Sequence, residues 1–249
     1  MNVRGVLVCT VLLVVATGWV PPIFGGGRAE EQADRFGDLS GLLREVVRNG
    51  QVDYVKLGQR VEVLEAVLDR LAEIDPDALT ANDQKAFYVN LYNSTVLREV
   101  LRRNQDGFSV AEDEFAFFKT PLVRMSGRTL TLDELEKGVA LIAHPDPRLH
   151  AAFVCAAASC PELLPRAYEG RDLDAVLDIS CRRWLADPSR NRFDPATRTA
   201  QLSRIFEWYE ADFGGREGVI RFVNRHGPFR IDGWTIRYLE YDWALNSTD

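Results

Sequence analysis

The chain has 249 residues, 46% of them hydrophobic, which is enough apolar material for a sizeable core in one large domain or two small ones and argues against disorder. Its formal charge is −7, from 37 acids against 30 bases, and this excludes the global basic footprint of a nucleic-acid binder. Arg182, Arg183 and Arg190 remain as local basic positions.

Residues 1–29 read as a signal peptide or an N-terminal membrane anchor. Arg4 supplies a weak positive start, an apolar run follows from Val6 to about Val20, and a Pro/Gly break precedes a weak cleavage pattern near Ala29. If retained, the run through residues 6–24 tethers the chain to a membrane. Either way residues 30–249 are expected as one exported domain, periplasmic, extracellular or held at the membrane. Of the four cysteines, Cys9 falls in the leader. Cys155, Cys160 and Cys181 are left, an odd set too sparse for a disulfide scaffold.

"DLSGLLREVVRNG" within residues 30–50 predicts an amphipathic helix stopped by Asn49-Gly50, and "QVDYVKL" reads as short and extended. Residues 60–75 predict a second helix ended by Pro76. Residues 80–104 predict the longest, opened by a Thr80/Asp83 capping box with Asp in place of Glu. After the acidic, aromatic "EDEFAFFKTP", "LVRMSGRTLTL" alternates around Ser126-Gly127 as a hairpin. Thr131 and Glu134 cap a helix to about Ile142, which "HPDP" breaks. "RLHAAFVC" reads as a buried strand by its apolar run. Residues 172–186 form a helix cut by Asp187-Pro188, and "NRFDPATRTAQLS" a second hairpin around Asp194-Pro195. "RIFEWYEADFG" and "EGVIRFVNRHG" are short helices ending at glycine, and "WTIRYLEYDWALN" closes the chain as a strand. The class is α+β, helices packed around a small, mostly antiparallel sheet.

Chemistry concentrates in "HAAFVCAAASCPELLP", His150 to Pro165. On a regular strand His150 and Cys155 face opposite sides, whereas "AAAS" can turn Cys160 back toward the imidazole. Three readings stand. Cys160 is a nucleophile with His150 as base, the imidazole oriented by Asp242 or by an asparagine of the long helix. Alternatively Cys155 and Cys160 are bridged or simply packed in the core; a bridge demands a sharp fold-back, because five extended steps separate their Cα atoms by ~16 Å. The third, a zinc site, is remote: H-x4-C-x4-C matches no established spacing and lacks a fourth ligand. No cofactor is implied. Asn90 and Asn93 share an otherwise apolar helix face, where amides are costly unless satisfied; they tie loop backbone to the helix or orient a reacting group. Glu136 reads as a solvated helical acid or a site residue. His144 and His226 read as surface residues, and Trp208, Tyr209, Trp234 and Trp243 as core aromatics rather than a stacking platform.

"AFYVNLYNSTVLREVL", "GRTLTLDELEKG", "DPRLHAAFVCAAASCPEL", "LSRIFEWYEADFG" and "YLEYDWALN", in that order, resemble the family catalogued as domain of unknown function 547, over roughly residues 40–246. Asn90, Asn93, Glu136, His150, Cys155, Ser159, Cys160 and Pro161 match its pattern. Lys137 stands where members resemble "IEH", and Val154 replaces an asparagine. The resemblance implies no assigned reaction. Because similar proteins occur in reducing compartments, it also implies that a bridge is not the general purpose of both thiols. The order of helix, His-bearing strand and Asp-bearing strand is similar to a papain- or transglutaminase-type core, but no cysteine opens the long helix here. The leading expectation is a Cys/His hydrolase-like or acyl-transfer site using Cys160, His150, Asn90, Asn93, Glu136 and Asp242, with backbone N–H groups of "AAASC" as an oxyanion hole. The alternative is a non-catalytic envelope binding or scaffold domain with structural cysteines. The partner is a small molecule or peptide, not nucleic acid.

Overall fold

The computed structural model describes residues 36–103 and 108–248; the expected leader and its tether lie outside them. Helix α1 (Gly37–Val46) runs directly into β1 (Val47–Arg48). Asn49 and Gly50 both take left-handed φ, 51° and 79°, and form the two-residue turn to antiparallel β2 (Gln51–Val52). Asn-Gly therefore closes a hairpin instead of merely stopping a helix, the commonest role of that pair. A side chain on Gly50 would collide with Glu162. The stretch read as extended is strand for two residues only: Asp53 caps α2 (Tyr54–Gly58) by accepting from the Lys56 N–H at 2.7 Å. In α3 (Val61–Ala72), Leu64, Val67, Leu68 and Leu71 make the buried stripe of an amphipathic helix.

Helix α4 (Ala81–Arg103) is the axis of the molecule. Every residue from Ala86 to Val100 is buried. A helix buried all round must satisfy its polar residues internally, and this one does so with the asparagines and ion pairs described below. At its start the Thr80 hydroxyl accepts from the Asp83 N–H at 3.3 Å and donates to the Asp83 carboxylate at 2.6 Å. The shorter Asp thus meets the hydroxyl where a Glu would reach back to the backbone. α2, α3, the next hairpin and the helical turn after it pack on α4.

Helix α5 (Glu112–Lys119) opens with Asp113, Glu114 and Phe115 in left-handed φ, 48°, 54° and 63°. Strands β3 (Val123–Met125) and β4 (Arg128–Leu130) pair antiparallel around Ser126-Gly127, as the dipeptide predicts. The Thr131/Glu134 box is complete: Thr131 Oγ1 accepts from the Glu134 N–H at 2.9 Å, and Glu134 accepts from the Thr131 N–H at 2.8 Å. The helix it caps is wound as a π-helix over Glu134–Ala140 before one α-turn, Leu141–Ala143. π-turns cluster at functional sites, because the extra residue per turn re-aims side chains.

"RLHAAFVC" is not a strand. Pro147–Ala151 form a 3-10 turn, and Ala152–Cys155 continue as irregular chain. The apolar run reflects burial, which a turn between helices needs as much as a strand does. Helix α6 (Leu173–Ala186) follows, then the hairpin β5 (Arg192–Asp194) and β6 (Thr199–Leu202). Helices α7 (Ile205–Trp208) and α8 (Gly215–His226) carry the chain over to β7 (Thr235–Tyr238), which pairs parallel with β6. The class is α+β as expected. The sheet is divided into two hairpins and one mixed three-stranded sheet ordered β5-β6-β7. Beyond β7 the expected strand is irregular chain that docks by isolated bridges, Val52 to Ser247 and Ala157 to Leu245. Among the described residues, no helix is long and apolar enough to cross a membrane.

Apolar burial falls into two clusters. One surrounds α4 and takes in Phe87, Leu91, Phe117, Leu135 and Phe153; the other joins α6, β6 and α8 through Trp184, Leu202, Phe206 and Val223. Tyr241 packs against both. The candidate site lies between them.

Candidate functional site

A cavity of about 770 Å³ opens between the two clusters, within the range of small-ligand sites. Its floor is polar: Tyr92 from α4, Glu136 from the π-turns, His150 from the 3-10 turn and the part-buried Tyr209 from the segment after α7, with the exposed Asp212 also lining the cavity. Its mouth is aromatic. Trp208 and Trp243 stack with centroids 5.6 Å apart, Tyr241 packs on both at 4.9 and 4.4 Å, and Phe115 meets Trp243 edge-on at 4.9 Å. Trp208 is 46% and Phe115 37% exposed. The reading of Trp208 and Trp243 as core aromatics is thereby corrected: they form a wall open to solvent.

Glu136 is buried, not solvated. Its carboxyl lies within hydrogen-bonding reach of the Tyr92 and Tyr209 hydroxyls and feels the nearby His150 and Lys137. Burial raises its pKa above the ordinary glutamate value, and His150, Lys137 and Tyr92 only partly offset this. Burial likewise pushes the Tyr92 and Tyr209 hydroxyls up, with Glu136 adding to it, so both are proton donors at neutral pH. The raised carboxyl sets a pH dependence. The folded chain holds a proton on Glu136 that the unfolded chain has already lost, so this group's contribution declines as pH rises from the ordinary glutamate range through the folded value. Glu136→Gln removes the penalty. The variant is expected to match wild type below about pH 4 and to exceed it in urea denaturation at about pH 7. A difference that shrinks as pH rises would contradict the assignment.

His150 is 3% exposed, stacked on Phe213 and packed on Tyr209. Its Nε2 lies 2.9 Å from Asp212 Oδ2. A carboxylate only accepts, so Nε2 carries the hydrogen, and Nδ1 is the lone-pair nitrogen whenever the ring is neutral. The orienting acid is therefore Asp212, not Asp242. The Asp242 side chain is exposed and accepts from the Ala244 N–H at 2.9 Å, while its backbone N–H donates to Ser159 Oγ at 2.8 Å. Sequence reasoning missed Asp212. Its signal was an acid beside an aromatic and a glycine in "EADFG", inside one of the motifs that carry the family resemblance.

Cys155 and Cys160 form a disulfide on the cavity wall, their Cα atoms 6.2 Å apart. The loop folds back as a bridge demands, helped by Ala156 in left-handed φ of 66°. The closing chain pins it: the Ala158 and Ser159 N–H groups donate to the carbonyls of Ala244 and Asp242, and Asn246 donates to Ala156. With the Cys160 N–H on the Ala157 carbonyl, the N–H groups of Ala158, Ser159 and Cys160 are committed, which takes those three out of the expected oxyanion hole. A bridged sulfur is also no nucleophile, so the expected Cys160–His150 pair does not exist in this state, although both residues line the same cavity.

The two amides hold backbone. Asn90 donates to the Tyr168 carbonyl at 2.8 Å and accepts from the Tyr168 N–H at 2.9 Å. Asn93 does the same to Ala152 and Val154, both at 2.9 Å. Neither lines the large cavity, and their reach on it is indirect: Asn93 fixes the chain between His150 and Cys155. His226 is buried against Phe222 rather than on the surface, and His144 is half-buried on Gln84 at 2.6 Å. The papain-type order is not supported either, since neither His150 nor Asp242 rides a strand.

Residues 76–185 match the family described as "Protein of unknown function, DUF547". Over those residues the chain is similar to the DUF547 family. The matched region is less than half of the 249 residues. It holds Asn90, Asn93, Glu136, His150, Cys155 and Cys160, while Tyr209, Asp212, Tyr241 and Trp243 lie beyond it. The matched region thus supplies one side of the cavity, and the C-terminal chain supplies the rest. No curated protein and no solved structure matches the chain.

Proposed function

We propose that the protein is a binding domain for a small molecule or peptide, taken into the cavity between the two core clusters. The carrying observation is the pairing of an aromatic mouth with a polar floor of the buried Glu136, His150 and Tyr92 and the part-buried Tyr209. Such a site favours a ligand with a flat apolar face to lie on Trp208 and Trp243 and a hydrogen-bonding end to reach the floor. The closed bridge supports binding over the hydrolase or acyl-transfer reading. Export is part of the proposal. The apolar run at residues 6–20 motivates it, and a bridged pair of cysteines accords with an oxidising compartment.

Titration of aromatic peptides and soluble oligosaccharides against tryptophan emission tests this reading. At least one class is expected to shift the emission and raise Tm, and Trp243→Ala is expected to abolish both responses while keeping the fold. Unchanged emission and Tm across both classes would count against it. The hydrolase reading keeps one specific support, that Cys160 and His150 line a common cavity. It requires the reduced protein, in which a Cys160 thiol should alkylate well below about pH 8.

A further inference from the structure

The bridge is placed unlike a structural one. It closes a loop of five residues' separation, for which chain entropy contributes only ~2 kcal/mol. The loop has other restraints: the ladder from Ala156–Ser159 to Asp242–Asn246, and the Asn93 clamp on Val154. With the bond opened, these would still hold both cysteines near their present places. The two sulfurs also differ. Cys155 is partly exposed on the cavity wall, whereas Cys160 is 2% exposed. Cys160 Sγ accepts from the Cys155 N–H at 2.9 Å, while the Tyr241 hydroxyl lies 3.4 Å from both sulfurs. The Arg190 guanidinium binds the Cys160 and Ala158 carbonyls and lies near Tyr241, its charge shared with Asp187.

We propose that Cys155–Cys160 is an exchangeable disulfide and that the cavity accepts a low-molecular-mass thiol at Cys155. The incoming thiolate attacks Cys155 Sγ along the open side. A new S–S bond forms to Cys155, the Cys155–Cys160 bond breaks, and its electron pair leaves on Cys160 as a thiolate. The Cys155 N–H already faces that sulfur and the Tyr241 hydroxyl is within reach of it, and donors to the charged form favour it as leaving group. No net oxidation occurs, because the entering thiol supplies the sulfur and Cys160 departs as the displaced one. The reverse attack by Cys160 on Cys155 releases the thiol and restores the bridge. This activity goes beyond ligand binding and does not depend on which ligand the cavity otherwise holds.

Cys181 serves as an internal control. It is fully buried, and burial pushes its thiol up to about 12, so its labelling reports unfolding. Native protein is incubated with reduced glutathione, quenched with an alkylator, and mapped by mass. The expected result is glutathione on Cys155, alkylator on Cys160, and unmodified Cys181. Cys160→Ser should take up one glutathione from oxidised glutathione at Cys155, whereas Cys155→Ser should take up none. A bridge that stays closed under these conditions, an adduct on Cys160, or a Cys155 adduct seen only together with Cys181 labelling would each overturn the proposal. Tryptophan titration with the aromatic peptides stays valid in every case, so failure of exchange and failure of binding are read separately.

Discussion

Asn93→Ala is expected to lower the unfolding free energy by about 3 kcal/mol. The amide is 7% exposed and acts at once as donor to the Ala152 carbonyl and acceptor from the Val154 N–H. Truncation strands both backbone groups where no solvent replaces the side chain, and each orphaned group costs about 1–3 kcal/mol. The gain from the original bonds is smaller than this loss, since unfolded backbone would bond to water. The cost should also be local. Amide exchange at Val154 is expected to quicken more than exchange in α6, because the clamp holds only the chain between His150 and Cys155. Asn93→Asp separates the two roles. A carboxylate accepts from Val154 but cannot donate to Ala152, so this variant should also be destabilised at neutral pH and recover in part under acid, where the protonated carboxyl can donate. A loss under about 1 kcal/mol for Asn93→Ala in urea denaturation would show that water or a neighbour takes over both bonds.

Glu99→Ala is expected to cost more, about 3–5 kcal/mol. Glu99 is 3% exposed. Its Oε1 accepts from Arg98 Nε at 3.0 Å and Arg102 Nη1 at 3.2 Å, and its Oε2 lies 3.7 Å from Arg103 Nε. Arg98 is itself buried and donates to the Leu122 carbonyl at 2.9 Å, tying α4 to the chain before β3. Without Glu99 a guanidinium stays buried with no buried counter-charge, which is the expensive half of breaking an internal pair. Replacing both residues by apolar ones of similar size, Arg98→Met with Glu99→Leu, should recover most of the loss, because it removes the desolvated charges together. The surface pair Arg70–Asp38, with both side chains more than half exposed, is the contrast: its deletion should cost under about 1 kcal/mol. Equal costs at the two sites would mean that burial does not set the energy of the Glu99 cluster.

Much of the local structure was legible. Ser126-Gly127 specifies its hairpin because glycine at positive φ matches the strand twist, and Thr131 with Glu134 specifies a helix start through two reciprocal bonds. For the amides of Asn90 and Asn93 the sequence left two readings, backbone tie or orienting group, and the structure shows the tie, since a helix face that is otherwise apolar gives them no water. The failures fall where burial replaces pattern. In Leu149–Val154 nearly every side chain is buried whatever the backbone does, so the apolar run could not separate a 3-10 turn from a strand. The choice of Asp242 over Asp212 failed for a related reason. Both acids sit among aromatics near the C-terminus, and only the path of the chain after α7 brings one of them to the imidazole.

By itself, then, the sequence determined the α+β class, the capped helices, the tight turns and the DUF547 likeness, since these rest on contacts within a few residues or on ordered motifs. The tertiary structure decided that Glu136 is buried, that His150 pairs with Asp212, that the two sulfurs join, and that Trp208 and Trp243 line a cavity. Each of these depends on groups up to tens of residues apart meeting in a low-dielectric interior, where their energies are set by neighbours that sequence distance does not reveal.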